Sequence, residues 1–432
     1  MTEGPSRPRR RWSLSWIDRD GKLILTTRGV RSFGYGFVSF ILGIYLSEVL
    51  DLGESAAVGA ILSGALIGSA GFTTFVSFYA DRLGRKRMLI LLAALMALSG
   101  IVFVLTRDPV ILFIAAAVGT LSPTGAEIGS FLPMEQAILP QCVSQENRNN
   151  IFAAYNVVGS LTGAAGFLFG GIVTYLESAL NSEVLAFHVM FILYAIIGLS
   201  ALILYLLLSP KTELQTAVGD RQRQRVSRES KVRVGRLASL FAVDSFAGGF
   251  VLLSIISLWF STKFDRPLSE LSLIFFVAGI LTTVSYYMAV RIARKIGLLR
   301  TMVFTHIPSN VFLILVPLAP TYLGAIALFL ARQAISPMDV PTRQSYTVAI
   351  VPPEARTFAA GVTSISRNVA QAASPSISTY ALGAISNAAP FIIGGSLKIV
   401  YDVAVFFSFR HIHPPDESHM AKPRSSERPG RS

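Results

Sequence analysis

A single cysteine, Cys142, stands among 432 residues. The chain therefore holds no internal disulfide and is not a disulfide-stapled secreted scaffold. Charge is scarce as well: Asp, Glu, Lys and Arg make up 15%, where a soluble protein carries about a quarter. No Gly-x4-Gly-Lys-Ser/Thr segment occurs, which excludes ATP hydrolysis by a phosphate-binding loop. His188, His306, His411, His413 and His419 lack metal-ligand spacing, so neither a metal nor another cofactor is expected. No nucleophile, base and orienting group fall together, which argues against an enzyme. The Arg-rich start runs into Trp12, Trp16, Asp18 and Asp20 rather than an apolar segment with a cleavage site. It does not read as a secretory signal, and the two tryptophans read as interfacial anchors.

Apolar residues are what the chain has in excess: 52%, spread along its whole length. That pattern is a polytopic protein of the lipid bilayer. The formal charge of +13 is no nucleic-acid signal, because the cations are distributed by topology. They crowd Arg7 to Lys22, Arg82 to Arg87, Arg221 to Arg236, Arg291 to Arg300 and the C-terminal tail, whereas the alternate loops carry only Arg107, Lys263 and Arg266. Under the positive-inside rule both termini are cytoplasmic, and a plasma (inner) membrane location is expected.

At about 20 residues per span, hydropathy divides the chain into twelve transmembrane helices. The first six begin near Val30, Ala56, Met88, Val110, Ile151 and Leu185, and the second six near Leu237, Leu268, Thr301, Tyr322, Glu354 and Asn387. The expected organisation is a basic cytoplasmic segment (1–28), a six-helix half (29–208), a polar cytoplasmic linker (209–236), a second six-helix half (237–412) and a cytoplasmic tail (413–432). The halves are related in sequence. Val30-Arg31-Ser32-Phe33-Gly34-Tyr35-Gly36-Phe37-Val38 matches Val243-Asp244-Ser245-Phe246-Ala247-Gly248-Gly249-Phe250-Val251 at most positions. The same offset pairs Gly84 with Gly297. A slightly smaller one pairs Pro133, Glu135, Gln136, Glu146 and Arg148 with Pro341, Arg343, Gln344, Glu354 and Arg356. Matches in order along the chain describe parallel repeats.

The turn between the second and third spans, Asp81-Arg82-Leu83-Gly84-Arg85-Lys86, is the most specific motif. Its glycine permits a tight turn and its cations hold it in the cytoplasm. With the six-plus-six organisation and the linker, this turn resembles the major facilitator superfamily across roughly residues 25 to 410. Ser77 and Tyr79 stand where that family has Gly and Leu. The resemblance implies an all-α membrane fold with a central cavity lined by spans one, four, seven and ten. It also implies alternating access, a monomer, and a layer of cytoplasmic ion pairs that latches the halves. Gly166-Phe167-Leu168-Phe169-Gly170-Gly171 is similar to an antiporter motif of the family, with Phe167 in place of its proline; Gly159, Gly163, Gly166 and Gly170 otherwise read as a helix-packing face.

Ionisable residues at bilayer depth are costly, by roughly 2.5–3.5 kcal/mol each, and so mark cavities or partners. Arg31, Tyr35, Glu127, Asp244 and Arg332 are expected in the substrate and proton cavity, with Glu127 and Asp244 as candidate proton-titrating carboxylates. Arg31 and Asp244 are alternatively a salt bridge between the halves. Asn156, Arg367 and Asn368 are further cavity candidates. The cytoplasmic gate is expected to comprise Asp81, Arg82, Gly84, Arg85, Lys86, Glu135, Arg148, Asp339, Arg343, Glu354 and Arg356. Asp339 and Arg343, at i and i+4, suit a pair on one helix face. The leading expectation is a secondary transporter coupled to protons that exports a small amphipathic compound, on a cavity rich in Phe, Tyr and Met. The alternatives are an organic-anion carrier using Arg31 and Arg332, and a transporter-like receptor that binds without transport.

Overall fold

A computed structural model of the chain describes residues 16–52, 56–125, 131–144, 147–213, 227–352 and 355–412. Regular structure there is helical throughout. The first half comprises α1 (Arg19–Ile44), α2 (Ala56–Leu83), α3 (Arg85–Leu105), α4 (Pro109–Val118), α5 (Leu132–Ile138), α6 (Arg148–Gly170), α7 (Val173–Leu180) and α8 (Glu183–Leu206). The second comprises α9 (Arg228–Gly249), α10 (Leu253–Phe264), α11 (Leu268–Ile296), α12 (Leu298–Leu315), α13 (Tyr322–Ile335), α14 (Asp339–Ala349), α15 (Arg356–Ala384) and α16 (Ala389–Phe409).

Ten of the described helical segments are long and apolar enough to cross a bilayer, rather than the expected twelve. The fourth expected span is interrupted: α4 stops at Val118, and α5 resumes at Leu132. Between them Thr120 has φ of 56°, a conformation that a β-branched residue rarely takes. The eleventh, α15, is 29 residues long but too polar for the criterion, since Arg367 and Gln371 interrupt its apolar pattern. The first and seventh spans start well before Val30 and Leu237. Each begins at a polar N-cap: the Asp18 carboxylate accepts from Gly21 N–H, and Ser227 Oγ accepts from Ser230 N–H.

Two turns repeat as the sequence pairing predicts. Gly84 separates α2 from α3 with φ 94°, and Gly297 separates α11 from α12 with φ 89°. Any side chain at either position would be strained. The first turn is further tied down by Glu213, whose carboxylate accepts from the backbone N–H groups of Arg85 and Lys86 at 2.8 and 3.1 Å. Lys86 Nζ meanwhile donates to the Leu206 and Leu208 carbonyls at the end of α8.

Within each half the tightest crossing is also a repeated one, α1 on α6 and α9 on α15. A Cβ on Gly36 would lie 2.2 Å from the Gly163 carbonyl oxygen, and one on Gly166 would lie 2.2 Å from the Phe33 carbonyl. Gly249, the repeat partner of Gly36, sits 2.6 Å by the same measure from the Gln371 carbonyl. Small residues allow this backbone approach where solvent exclusion offers no drive for association.

The halves meet at the end remote from the termini. There Ser254 Oγ lies 2.7 Å from the Ser39 carbonyl and 3.0 Å from that of Pro123, and Ser257 Oγ donates to the Phe40 carbonyl. The interrupted fourth span thus has an exposed carbonyl satisfied by the other half. α2 approaches α15 through Gly59, whose added Cβ would fall 2.5 Å from Ser376 Cα. One apolar core unites both halves at this end, including Phe40, Trp259 and Phe275. Toward the termini it divides in two, one cluster around Met88, Tyr155 and Tyr205 and another around Met302, Tyr346 and Tyr401.

Gly36→Ala should lower stability by about 1–3 kcal/mol through overpacking against fixed backbone. Gly71→Ala, where an added Cβ meets nothing within 4 Å, should change it by less than about 1 kcal/mol. Thermal unfolding of the two purified variants checks this contrast.

Candidate functional site

A cavity of about 560 Å³ lies between the halves, within the size range of small-molecule sites. α6 contributes Asn156 to its wall, α9 Asp244 and Ser245, α14 Asp339 and Arg343, and α15 Arg367 and Gln371. Its aromatic side chains among the described residues are Phe167, Phe275 and Tyr286, and no methionine lines it. The expected wall rich in Phe, Tyr and Met is therefore replaced by one that mixes polar and charged side chains with small apolar residues. The reason is the polar face of α15 together with the charged residues of α9 and α14.

The deep charges are sorted into two bridges, one in each half. In the first, Arg31 on α1 grips Glu135 on α5 with two parallel contacts of 2.9 Å, and both side chains are fully buried. Tyr155 and Tyr205 donate to the same carboxylate at 2.5 and 2.6 Å, and the guanidinium stacks 3.9 Å from the Phe131 ring. In the second half the poles are exchanged. Asp244 on α9 meets Arg343 on α14 at 2.7 Å, at positions equivalent by repeat to Arg31 and Glu135. Arg343 also holds Asp339 at 2.8 Å, and Lys398 on α16 reaches the other Asp244 oxygen at 2.6 Å. Behind this cluster Asp402 is held by His306 Nδ1 at 2.8 Å and Asn310 Nδ2 at 3.1 Å; His306 and Lys398 also reach the cavity wall.

Several expectations change accordingly. Arg31 does not face the cavity or bridge to Asp244, because Glu135 satisfies it inside its own half. Tyr35 is 2% exposed and packs its ring 6.4 Å from that of Tyr194, so it is core and not a ligand contact. Glu135 and Arg343 do not latch the halves to each other in this conformation; each pairs within its own. Asp339 and Arg343 do pair, and both line the cavity with Asp244, Asn156 and Arg367. Arg332 borders a smaller adjoining chamber of about 220 Å³. Gly84, Arg85 and Lys86 form the docked turn described above. Glu127 and Glu354 lie outside the described residues, as do the side chains of Asp81, Arg82, Arg148 and Arg356.

Lys398, His306, Asn310 and Asp402 escaped sequence reasoning. His306 and Asn310 at i and i+4 on α12, and Lys398 and Asp402 at i and i+4 on α16, were the available signal: polar groups repeating on one face of an apolar helix.

A membrane-embedded pair of repeated helical halves enclosing a polar central cavity defines a solute carrier of the two-fold repeat type. The family model described as Major Facilitator Superfamily matches residues 24–375 and 237–431, and the chain belongs to that superfamily. It is 27% identical over 427 residues to an uncharacterised membrane protein of Saccharomyces cerevisiae, covering 90% of this chain and 94% of that one. Among solved structures it resembles the nucleoside transporter NupG, with a TM-score of 0.69 at 14% identity over 91% of this chain and 99% of the other. It resembles the POT family transporter PepTSo equally, with a TM-score of 0.69 at 12% identity over 94% and 99%. At these identities the two structures share the fold.

Because Arg31 and Glu135 are both fully buried, Glu135→Gln removes a charge that nothing nearby replaces. The expected loss is about 3–5 kcal/mol. Replacing Arg31 and Glu135 with methionine, together with Tyr155→Phe and Tyr205→Phe so that no buried hydroxyl loses its acceptor, should recover most of it, as measured by unfolding of the detergent-purified variants.

Proposed function

We propose that this chain is a secondary active transporter that moves a small molecule by alternating access. The observation that carries the reading is the arrangement of the halves around the cavity: fused by backbone-close contacts and a shared core at one end, with separate cores at the other. With the termini on the cytoplasmic side, this is a conformation open to the cytoplasm. Rocking the halves would exchange which end is closed and expose the same site to the opposite face. The bridges and glycine crossings inside each half travel with it as rigid units, so the contacts that must rearrange include those of Ser254, Ser257, Ser160 with Thr283, and Gly59 and Ser63 with Ser376.

Proton coupling fits the second half and not the first. Asp244 stands on the cavity wall and is shared between Lys398 and Arg343, so its protonation would release Lys398 and leave Arg343 to Asp339. Glu135 is sealed by four donor groups away from the cavity and has no route to such a role. Export and import use the same cycle, and the geometry favours neither.

The seal supplies a direct test. Ser63 Oγ and Ser376 Oγ lie 3.2 Å apart across the halves, close enough for cysteines there to form a disulfide. The native Cys142 is buried, and burial pushes its thiol up to about 12, so it competes little for oxidant or maleimide at neutral pH. In Ser63→Cys, Ser376→Cys protein that also carries Asn156→Cys as a cavity reporter, cross-linking should confine reaction with an impermeant maleimide to the side of the termini. Reduction should open reaction from the opposite side as well. Labelling that stays one-sided after reduction would overturn alternating access.

A further inference from the structure

Among the described residues, the guanidinium groups of Arg367 and Arg332 at this site have no carboxylate within ion-pair distance. Every described carboxylate around the cavity is engaged: Asp244 by Arg343 and Lys398, Asp339 by Arg343, and Asp402 by His306 and Asn310. Arg367 donates from Nε to Ser245 Oγ at 3.0 Å and joins no ion pair among the described residues. Arg332 donates to the Gln333 side-chain oxygen, and its buried Nε has no hydrogen-bond partner. The C-terminal turn of α13, where Arg332 sits, adds the partial negative charge of a helix end, and Asp244 acts on it only from beyond ion-pair distance. These are the residues that a bilayer-embedded protein would be expected to neutralise and has not.

Their placement is specific. Arg367 and Gln371 stand at i and i+4 on one face of α15, and both line the main cavity. Gln333 and Gln371 line that cavity and also the adjoining chamber, whose wall includes Arg332. Arg367 thus lines the main cavity and Arg332 the adjoining chamber, and Gln333 and Gln371, which border both, join them into one connected recess. A guanidinium presents five N–H donors in a planar fork that matches the paired oxygens of a carboxylate or phosphate. Amides alongside offer donors and acceptors suited to hydroxyl or amide groups.

Resting on the transport reading above, we infer that this recess anchors the oxyanion group of the transported solute: a carboxylate or phosphomonoester on a small organic molecule, held by Arg367 and Arg332. Gln333 and Gln371 contact the polar groups next to that head, and Phe167, Phe275 and Tyr286 supply the cavity's apolar walls. An amphipathic cation would meet an arginine outside any ion pair in each of the two connected chambers. Arg31, first expected to share anion binding with Arg332, is occupied by Glu135, and Arg367 takes that place.

The test is thermal unfolding of the full-length purified protein in chloride, against citrate or glucose 6-phosphate at matched ionic strength. An oxyanion bound only by the folded protein raises the melting temperature. The expected result is a rise with at least one of the two, and the one that acts distinguishes carboxylate from phosphate recognition. Losing a charged hydrogen-bonding partner should weaken the response about tenfold or more in concentration dependence in Arg367→Gln and Arg332→Gln, with part of it retained in Arg367→Lys. In chloride alone, Arg367→Gln should melt at or above the temperature of the unsubstituted protein, because an uncompensated charge has been removed. A lower melting temperature in chloride would mark Arg367 as structural and overturn the inference. So would a response that survives both glutamine substitutions, or no response to either oxyanion. Two-sided labelling at position 156 persisting in that case would leave alternating access standing and sink the anion site alone.

Discussion

A charge carried into the bilayer must be matched inside the protein, and each half of this chain is organised around one such match. The bridge joins the first helix of a half to the fourth spanning position, Arg31 to Glu135 and Asp244 to Arg343. Because the poles are exchanged between repeats, the bridge is kept while the residues are inverted. The two copies then diverge in access. Tyr155, Tyr205 and Phe131 close over the first and leave it dry. The second opens onto the cavity and recruits Lys398 and Asp339, so its charges are poised rather than locked.

This asymmetry places the sealed bridge in one half and the cavity-facing charges in the other. The first half contributes a rigid rod pair, α1 against α6, fitted through Gly36, Gly163 and Gly166 so closely that no side chain can intervene. The second half contributes the charged wall, the His306–Asp402–Asn310 cluster behind it and the two unneutralised arginines. The halves touch through serine hydroxyls on backbone carbonyls, through the hydroxyl pairs Ser63–Ser376 and Ser160–Thr283, and through the close approach of Gly59 to α15. Such contacts are individually modest, about 0.5–1.5 kcal/mol per hydrogen bond, which suits an interface that separates during a transport cycle.

Much of the architecture was legible in the chain. Alternating cation-rich loops, twelve expected spans and the repeated nonapeptide all pointed to paired six-helix halves, and the match of Gly84 with Gly297 reappears as two turns with positive φ. The count of continuous apolar helices was not legible in this way. Hydropathy averages over a window, and it passes over the backbone break after α4; the eleventh span near Glu354 is present as α15, with Arg367 and Gln371 of its polar face on the cavity. Helix starts at Arg19 and Arg228 were likewise hidden, since they depend on capping by Asp18 and Ser227 and not on apolarity.

The site divides along the same line. The sequence by itself determined the membrane class, the two-fold repeat, the glycine turns and the list of charges too deep to be accidental, because these rest on local composition and on matches along one strand of text. It also held the clue that Arg31 and Glu135 are inverted in Asp244 and Arg343, which is what a bridge inside each half requires. Only the tertiary structure decided who pairs with whom, which charges face the cavity and which remain without a partner. A deep charge is neutralised by whatever lies within a few ångströms, and that neighbour is set by helix rotation and tilt, as Lys398 reaching Asp244 from 154 residues away shows.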